Sequence, residues 1–106
     1  LETQTNVMHA CEAETSMMMA LEPDLVVNSL LNKAKGPMKL DFLNAGKGSY
    51  RWRSLTHVTS NGVIGDPSQS SSAKGEQLLQ EASQAIFELI CNPDTFKLQS
   101  EFRLPE

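Results

Sequence analysis

The densest group of side chains capable of chemistry is the run His9-Ala10-Cys11-Glu12-Ala13-Glu14-Thr15-Ser16. It places an imidazole, a thiol and two carboxylates at the start of a predicted helix. As a nucleophile, Cys11 would need a base within hydrogen-bond reach, and its position beside a helix N-terminus would favour the reactive thiolate. Neighbours in sequence seldom form a catalytic pair, so this interpretation stands beside two alternatives.

The first alternative is a metal site and the second is purely structural. A zinc or manganese ion takes three or more protein ligands. Besides His9 and Glu14, the only further candidate ligand is His57. In the structural interpretation, Glu12 and Glu14 interact favourably with the helix dipole, while His9 packs against the preceding loop. Spacing alone favours the structural interpretation.

Three other patterns give weaker indications of chemistry. The segment Gly46-Lys47-Gly48-Ser49 lacks the spacing of a phosphate-binding loop. The aromatic residues Tyr50 and Trp52 alternate with arginines, and they could contact a substrate or a neighbouring subunit. Because interfaces are enriched in Trp, Tyr and Arg, a subunit contact is the simpler interpretation. His57 is interpreted as a loop histidine.

Two predicted helices must position these residues. The segment from Glu12 to Leu21 contains strong helix formers and two acidic residues near its start, and Pro23 limits its continuation. A longer final helix is predicted within residues 70–92, with serines as N-cap and Asn92-Pro93 as the stop. Its apolar side chains recur every three or four residues and indicate a core-facing stripe: Leu78, Leu79, Ala82, Ala85, Ile86, Leu89 and Ile90.

The remaining segments carry mainly turn signals. Residues 32–69 are predicted to form a long loop, and such loops usually serve as lids or subunit contacts. Within it, residues 61–67 indicate a turn, a short extended piece and a second turn. Residues 24–31 are compatible with a short helix or with an extended piece at Leu25–Val27. The tail 93–106 either docks as an extended arm or frays.

Composition restricts the class of protein. The 106 residues are 40% apolar and 21% charged, as expected for one globular domain. The net charge of −4 and the scattered lysines and arginines argue against nucleic acid and anionic membranes as partners. No apolar run approaches the ~18 residues of a membrane-spanning helix. With two cysteines, reduced thiols and a cytoplasmic location are expected. Because the chain opens at Leu1 without a methionine, we expect that it continues a segment upstream.

Two separated motifs resemble the creatininase (creatinine amidohydrolase) family. The first is the run at residues 9–16, followed by an apolar helix and Pro23-Asp24-Leu25-Val26. The second is Ser60-Asn61-Gly62-Val63-Ile64-Gly65-Asp66-Pro67, followed by Ser72-Ala73-Lys74-Gly75 and the final helix. The similarity covers roughly residues 7 to 91 in the family's order, so it is more specific than either motif alone.

The resemblance implies a fold, a reaction and roles for residues. It implies an α/β fold, with residues 1–106 forming the C-terminal part of a three-layer α/β/α domain on a mostly parallel sheet. It implies hydrolysis of a cyclic or linear amide C–N bond by water activated at a pair of Zn or Mn ions. His9 matches the histidine that helps to protonate the leaving nitrogen. Glu14 matches the Glu of Glu-Thr-Ser and would orient the site or the helix start. Family members commonly form oligomers, and creatininase is a hexamer.

Departures from the family pattern restrict these implications. Met8 replaces a glutamate that is catalytic in creatininase, which weakens creatinine as the substrate. Cys11 replaces a small glycine. The family's metal ligands lie upstream of the first motif, so this chain is expected to hold no metal ligand itself. The missing N-terminal portion or a companion chain would supply them.

The sequence therefore predicts a metal-dependent amidohydrolase acting on a small-molecule amide, seen through its C-terminal segment. A second hypothesis is a non-catalytic piece of the same fold, in which the loop from Lys33 to Asp66 and Trp52 serve assembly. A third is a small helical interaction module that presents the Leu78 to Ile90 stripe to a partner.

Overall fold

Two α-helices form most of the regular structure in residues 1–38 and 54–96, which the computed structural model describes. Helix α1 is Glu12–Leu21 and helix α2 is Ser72–Cys91. Three short 3₁₀ helices lie between them, at Pro23–Leu25, Asn28–Lys33 and Leu55–His57.

Helix α1 occupies the predicted range. Cys11 precedes it with extended backbone, φ −84° and ψ −172°, which is the conformation of an N-cap residue. After Leu21, the Glu22 N–H donates to the Met18 carbonyl at 2.8 Å. Pro23 then begins the first 3₁₀ helix, because its ring fixes φ while it lacks an N–H to continue α1.

Helix α2 also forms where the sequence predicts it, but it does not face a core along its whole length. Its N-cap is Ser71, whose Oγ accepts from the Lys74 N–H at 3.3 Å, and Asn92 ends it. Gly75 is buried and Leu78 is half-buried, whereas every residue from Glu81 to the end of α2 is exposed. The predicted core-facing stripe is therefore wrong for the second half of α2 in the described residues.

The two helices touch at backbone distance near Gly75. A Cβ at this position would lie 2.0 Å from the Ser16 carbonyl oxygen, so only glycine fits. The Ser71 N–H donates to Ser16 Oγ at 3.1 Å, and Ser72 Oγ donates to the Met19 carbonyl at 3.1 Å. Among the described residues, the buried apolar core consists of Cys11, Ala13, Met19, Val63 and Ile64.

The predicted α/β fold with a mostly parallel sheet is wrong for the described residues, which are helical and contain no sheet. Their extended pairing is a single antiparallel bridge between His9 and Ile64. The reason lies in the turns that flank this bridge. Gly62 and Gly65 adopt φ of +82° and +118°, so the chain stays extended for only two residues between them. The possible extended piece at Leu25–Val27 does not form either, since Leu25 ends one 3₁₀ helix and Asn28 begins the next.

Both cysteines are free thiols. Cys11 is buried under α1, and Cys91 is exposed at the end of α2. Across residues 1–38 and 54–96, no helix has the length and apolar character needed to cross a bilayer.

Candidate active site

The backbone of His9 is held by hydrogen bonds, whereas its imidazole ring is exposed. Its N–H donates to the Ile64 carbonyl at 3.2 Å, and its carbonyl accepts from the Ile64 N–H at 2.8 Å. The imidazole is 51% exposed, so it can meet a ligand from outside. A functional histidine needs this combination of a fixed backbone and an accessible ring.

The residue after His9 has a strained backbone. Ala10 has φ of +49°, a left-handed conformation that L-residues other than Gly, Asn and Asp seldom adopt. Two side chains from α1 hold it there. The Ala10 N–H donates to Glu14 Oε2, and Thr15 Oγ1 donates to the Ala10 carbonyl at 3.2 Å. The left-handed residue turns the chain from the His9 bridge into α1.

Glu14 also lies beside the His9 ring. Its Oε2 is 4.0 Å from His9 Nδ1, which is too long for a hydrogen bond but close enough for a charge interaction. Glu14 is the third residue of α1, and its carboxylate reaches back to an N–H that precedes the helix, as in a capping box. The structure thus brings together the two predicted site residues, His9 and Glu14.

His9 and Glu14 both line an apolar groove of about 400 Å³. Together with Thr15 they are its polar lining residues. The other lining side chains are almost all aliphatic and come from α1, the segment after it and the 63–67 turn: Ala10, Met18, Leu25, Val26, Val27, Leu30, Leu31, Ala34, Val63 and Pro67. Apolar walls with a few convergent polar groups are typical of small-molecule sites.

Glu12 has a role that the sequence interpretation missed. It was expected only to stabilise the helix dipole, but its side chain is fully buried. Its carboxylate accepts from the Glu2 N–H at 2.8 Å, from the Thr3 N–H at 2.8 Å and from Lys74 Nζ at 2.7 Å. Burial alone would raise the pKa of Glu12, but these hydrogen bonds lower it to about 2. In the sequence, Lys74 of the second motif is the residue that could have suggested an ion pair with Glu12.

Ser16 was also missed as a functional element of the motif. It is buried, and its Oγ donates to the Glu12 carbonyl at 2.6 Å while accepting from the Ser71 N–H. All three side chains of Glu-Thr-Ser therefore bind backbone groups: Glu14 and Thr15 hold Ala10, and Ser16 joins α1 to the start of α2.

Cys11 lies in a packed position. It is fully buried, its Sγ accepts from the Met8 N–H at 3.3 Å, and a Cβ on Gly65 would stand 2.9 Å from its own Cβ. A nucleophile must reach its substrate, so these contacts favour a packing role over the nucleophile hypothesis.

The described residues do not fit a metal ion. Within residues 1–38 and 54–96, no three His, Cys, Asp or Glu side chains lie close enough together to bind one. His57, the third ligand considered above, has Nδ1 2.8 Å from Ser54 Oγ and does not line the groove. The predicted ligand or interface residues Trp52 and Tyr50 lie outside the described residues, and their roles stay predictions.

The arrangement is chemically suited to proton transfer. The imidazole lines an apolar groove and lies beside the Glu14 carboxylate, which also accepts the Ala10 N–H of the neighbouring turn. A histidine in such a position can give a proton to a bound molecule or take one from it.

Comparison with known proteins gives one match. A family model described as Creatininase: Creatinine amidohydrolase matches residues 1–90. No curated protein and no solved structure matches the chain. The matched range contains both sequence motifs, the His9 turn, the buried Glu12 and nearly all of α2. The chain therefore belongs to the creatininase (creatinine amidohydrolase) family.

Proposed function

We propose that this chain provides the proton-transfer part of the active site of a metal-dependent amidohydrolase. The reaction is hydrolysis of a cyclic or linear amide C–N bond in a small molecule. One observation carries the proposal: within the family motif, His9 and Glu14 lie side by side and both line an apolar groove. Family membership supports the reaction class.

Amide hydrolysis needs a proton at the departing nitrogen. Water adds to the carbonyl carbon, and the C–N bond then breaks as the nitrogen takes up a proton and leaves as an amine. The exposed imidazole of His9 is placed to give this proton. Glu14 holds the Ala10 turn and lies beside His9 Nδ1, so it keeps the ring at the groove.

The metal of such an enzyme would need ligands beyond the described residues. A Zn or Mn pair lowers the pKa of bound water and polarises the amide carbonyl. Because residues 1–38 and 54–96 do not form a ligand cluster, we propose that other residues of the complete protein or a companion chain supply it. In this arrangement the site is assembled from two parts.

A specific observation favours the third hypothesis, in which the α2 stripe contacts a partner, as a second candidate. In the second half of α2, Ile86, Leu89 and Ile90 are each more than half exposed and lie on one side of the helix. Exposed apolar surfaces of this kind mark protein contacts. A second copy of the chain is the proposed occupant, in keeping with the homo-oligomers of the family.

Metal content and amide hydrolysis, measured on one preparation, test the first proposal. The complete protein, together with any chain that co-purifies with it and with its intact mass verified, is assayed on a panel of lactams and linear amides with and without Zn²⁺ or Mn²⁺. We expect bound metal and metal-dependent release of amine. A folded protein that binds no metal and hydrolyses no amide would contradict the proposal, and its mass by light scattering would then show whether it serves assembly alone.

A further inference from the structure

A short chain of hydrogen bonds connects the buried Glu12 to the backbone that holds His9. Thr3 forms the first link, because its N–H donates to Glu12 Oε2 at 2.8 Å. The single hydroxyl proton of Thr3 lies within reach of two acceptors, Glu12 Oε2 at 2.7 Å and the Asp66 carbonyl oxygen at 2.8 Å, and in the second position it joins the segment to the turn. Since Asp66 follows Ile64 by two residues, Glu12 is linked to the same turn that pairs with His9.

A parallel link reinforces this connection. Gln4, next to Thr3, accepts the Asp66 N–H on its Oε1 at 3.1 Å. The same Oε1 lies 2.2 Å from where a Cβ on Gly65 would stand, so the segment and the turn are in close contact. Thr3 and Gln4 therefore bind the 64–66 turn from one side, and we call them the clamp. Glu12 fixes the clamp because its carboxylate accepts the Thr3 N–H.

Lys74 supplies the positive charge that offsets the cost of burying the Glu12 carboxylate. Its Nζ lies 2.7 Å from Glu12 Oε1, 2.7 Å from Glu2 Oε1 and 2.6 Å from the Gln69 carbonyl oxygen. Removing one partner of such a pair leaves an uncompensated charge, whereas an intact pair fixes geometry. Through Lys74, the position of the clamp also depends on α2.

We propose that Glu12 is a positioning residue for His9. Its carboxylate fixes Thr3, Thr3 and Gln4 fix the 64–66 turn, and the turn sets the His9 backbone at the edge of the groove. Glu12 itself does not line the groove, so it acts only through these contacts. Glu14 positions the same histidine from the other side, through Ala10. The inference rests on the proposed function, because it assigns Glu12 a part in placing the proton donor.

The test compares Glu12→Gln with Glu76→Gln in the full chain. Glu76 is an exposed residue of α2 and provides the matched control. The readout is a proton–nitrogen NMR spectrum of the two imidazoles, in which His57 is the internal reference. We expect the His9 signals to shift in Glu12→Gln while the His57 signals stay in place, and neither to shift in Glu76→Gln. Where turnover is measurable, kcat should fall about ten- to hundredfold with little change in KM.

A second variant keeps the test decisive if Glu12→Gln does not fold. Thr3→Val removes the hydroxyl link to Asp66 and keeps the ion pair with Lys74. A shift of the His9 signals in this variant supports the proposal. His9 signals that coincide with those of the wild type in the folded variants would overturn it, even if stability falls. Because the spectrum needs no substrate, failure of the proposed hydrolysis leaves this result readable.

Discussion

Glu14 and Thr15 act on the same backbone unit, one through its N–H and the other through its carbonyl. That unit is Ala10, which directly follows the proposed proton donor. Strained backbone at such a place is tolerated when surrounding groups hold it, and it fixes the direction of the neighbouring side chain. At the scale of residues, the observed role of Glu14 and Thr15 is to hold the Ala10 turn, and this turn places His9.

The strain at Ala10 leads to a stability prediction. Glycine adopts positive φ without the clash of a Cβ, so Ala10→Gly should stabilise the protein by about 0.5–1 kcal/mol, despite the greater freedom of its unfolded chain. Urea unfolding of the variant and the wild type measures this difference. A loss of about 1 kcal/mol, the usual effect of glycine in an unstrained position, would contradict the strained turn.

Glu12 predicts a pH dependence of stability. Its pKa falls from an ordinary 4.5 to about 2 on folding, because hydrogen bonds from Lys74, Thr3 and Glu2 outweigh its burial. A lowered pKa means that the stabilisation is complete above pH 4.5 and is lost as the pH falls towards 2. We expect about 2 kcal/mol of unfolding free energy to disappear over this range.

Unfolding of Glu12→Gln at several pH values checks this assignment. The variant should show a flatter profile between pH 4.5 and 2 than the wild type. Some slope should persist, since burial raises the pKa of Asp66 less than hydrogen bonds from Lys35 and Ser68 lower it. Identical slopes in the two proteins would show that Glu12 is not the titrating group.

The sequence indicated that His9 and Glu14 lie close together, but it left the partners of Glu12 hidden. The catalytic roles of His9 and Glu14 come from the family resemblance and stay predictions. The first pair lies within one turn of chain, and a glutamate at the third helical position commonly reaches back to the helix start. The partners of Glu12 lie 9, 10 and 62 positions away in sequence. Only the folded chain brings them together, so the sequence offered no more than Lys74 in the second motif as a possible partner.

At the scale of elements, local signals located both helices and failed for the sheet. Pro23 limits α1 through its fixed φ and missing N–H, Ser71 caps α2 through its hydroxyl, and α2 ends at Asn92, before Pro93. A sheet depends on partners distant in sequence, and the described residues offer one bridge flanked by glycine turns. The predicted direction of the α2 stripe failed for a similar reason, since burial depends on what covers a helix.

The contact between α1 and α2 gives a prediction at this scale. Gly75→Ala would place a Cβ 2.0 Å from the Ser16 carbonyl oxygen, so the helices must separate. We expect a loss of about 1–3 kcal/mol in unfolding free energy, by chemical denaturation. Ser83→Ala, at an exposed position of α2, serves as the control and should change stability little. Equal stability in both variants would mean that the close contact does not form.

At the scale of the whole molecule, the groove and the exposed half of α2 indicate a structure that is completed by other parts. The groove is lined by His9, the proposed proton donor, but the described residues provide no ligand cluster for metal. The apolar side of α2 from Ile86 to Ile90 has no cover there either. Both features agree with an active site shared with other residues or with another copy of the chain.

The most direct test of the central claim is the activity of His9→Ala beside its stability. With a hydrolysed amide from the panel and saturating metal, we expect turnover to fall about a hundredfold or more, while the melting temperature changes little. His57→Ala, whose ring lies away from the groove, should retain full turnover. Unchanged turnover in His9→Ala, or a loss that only follows a matching fall in melting temperature, would contradict a proton-transfer role for His9.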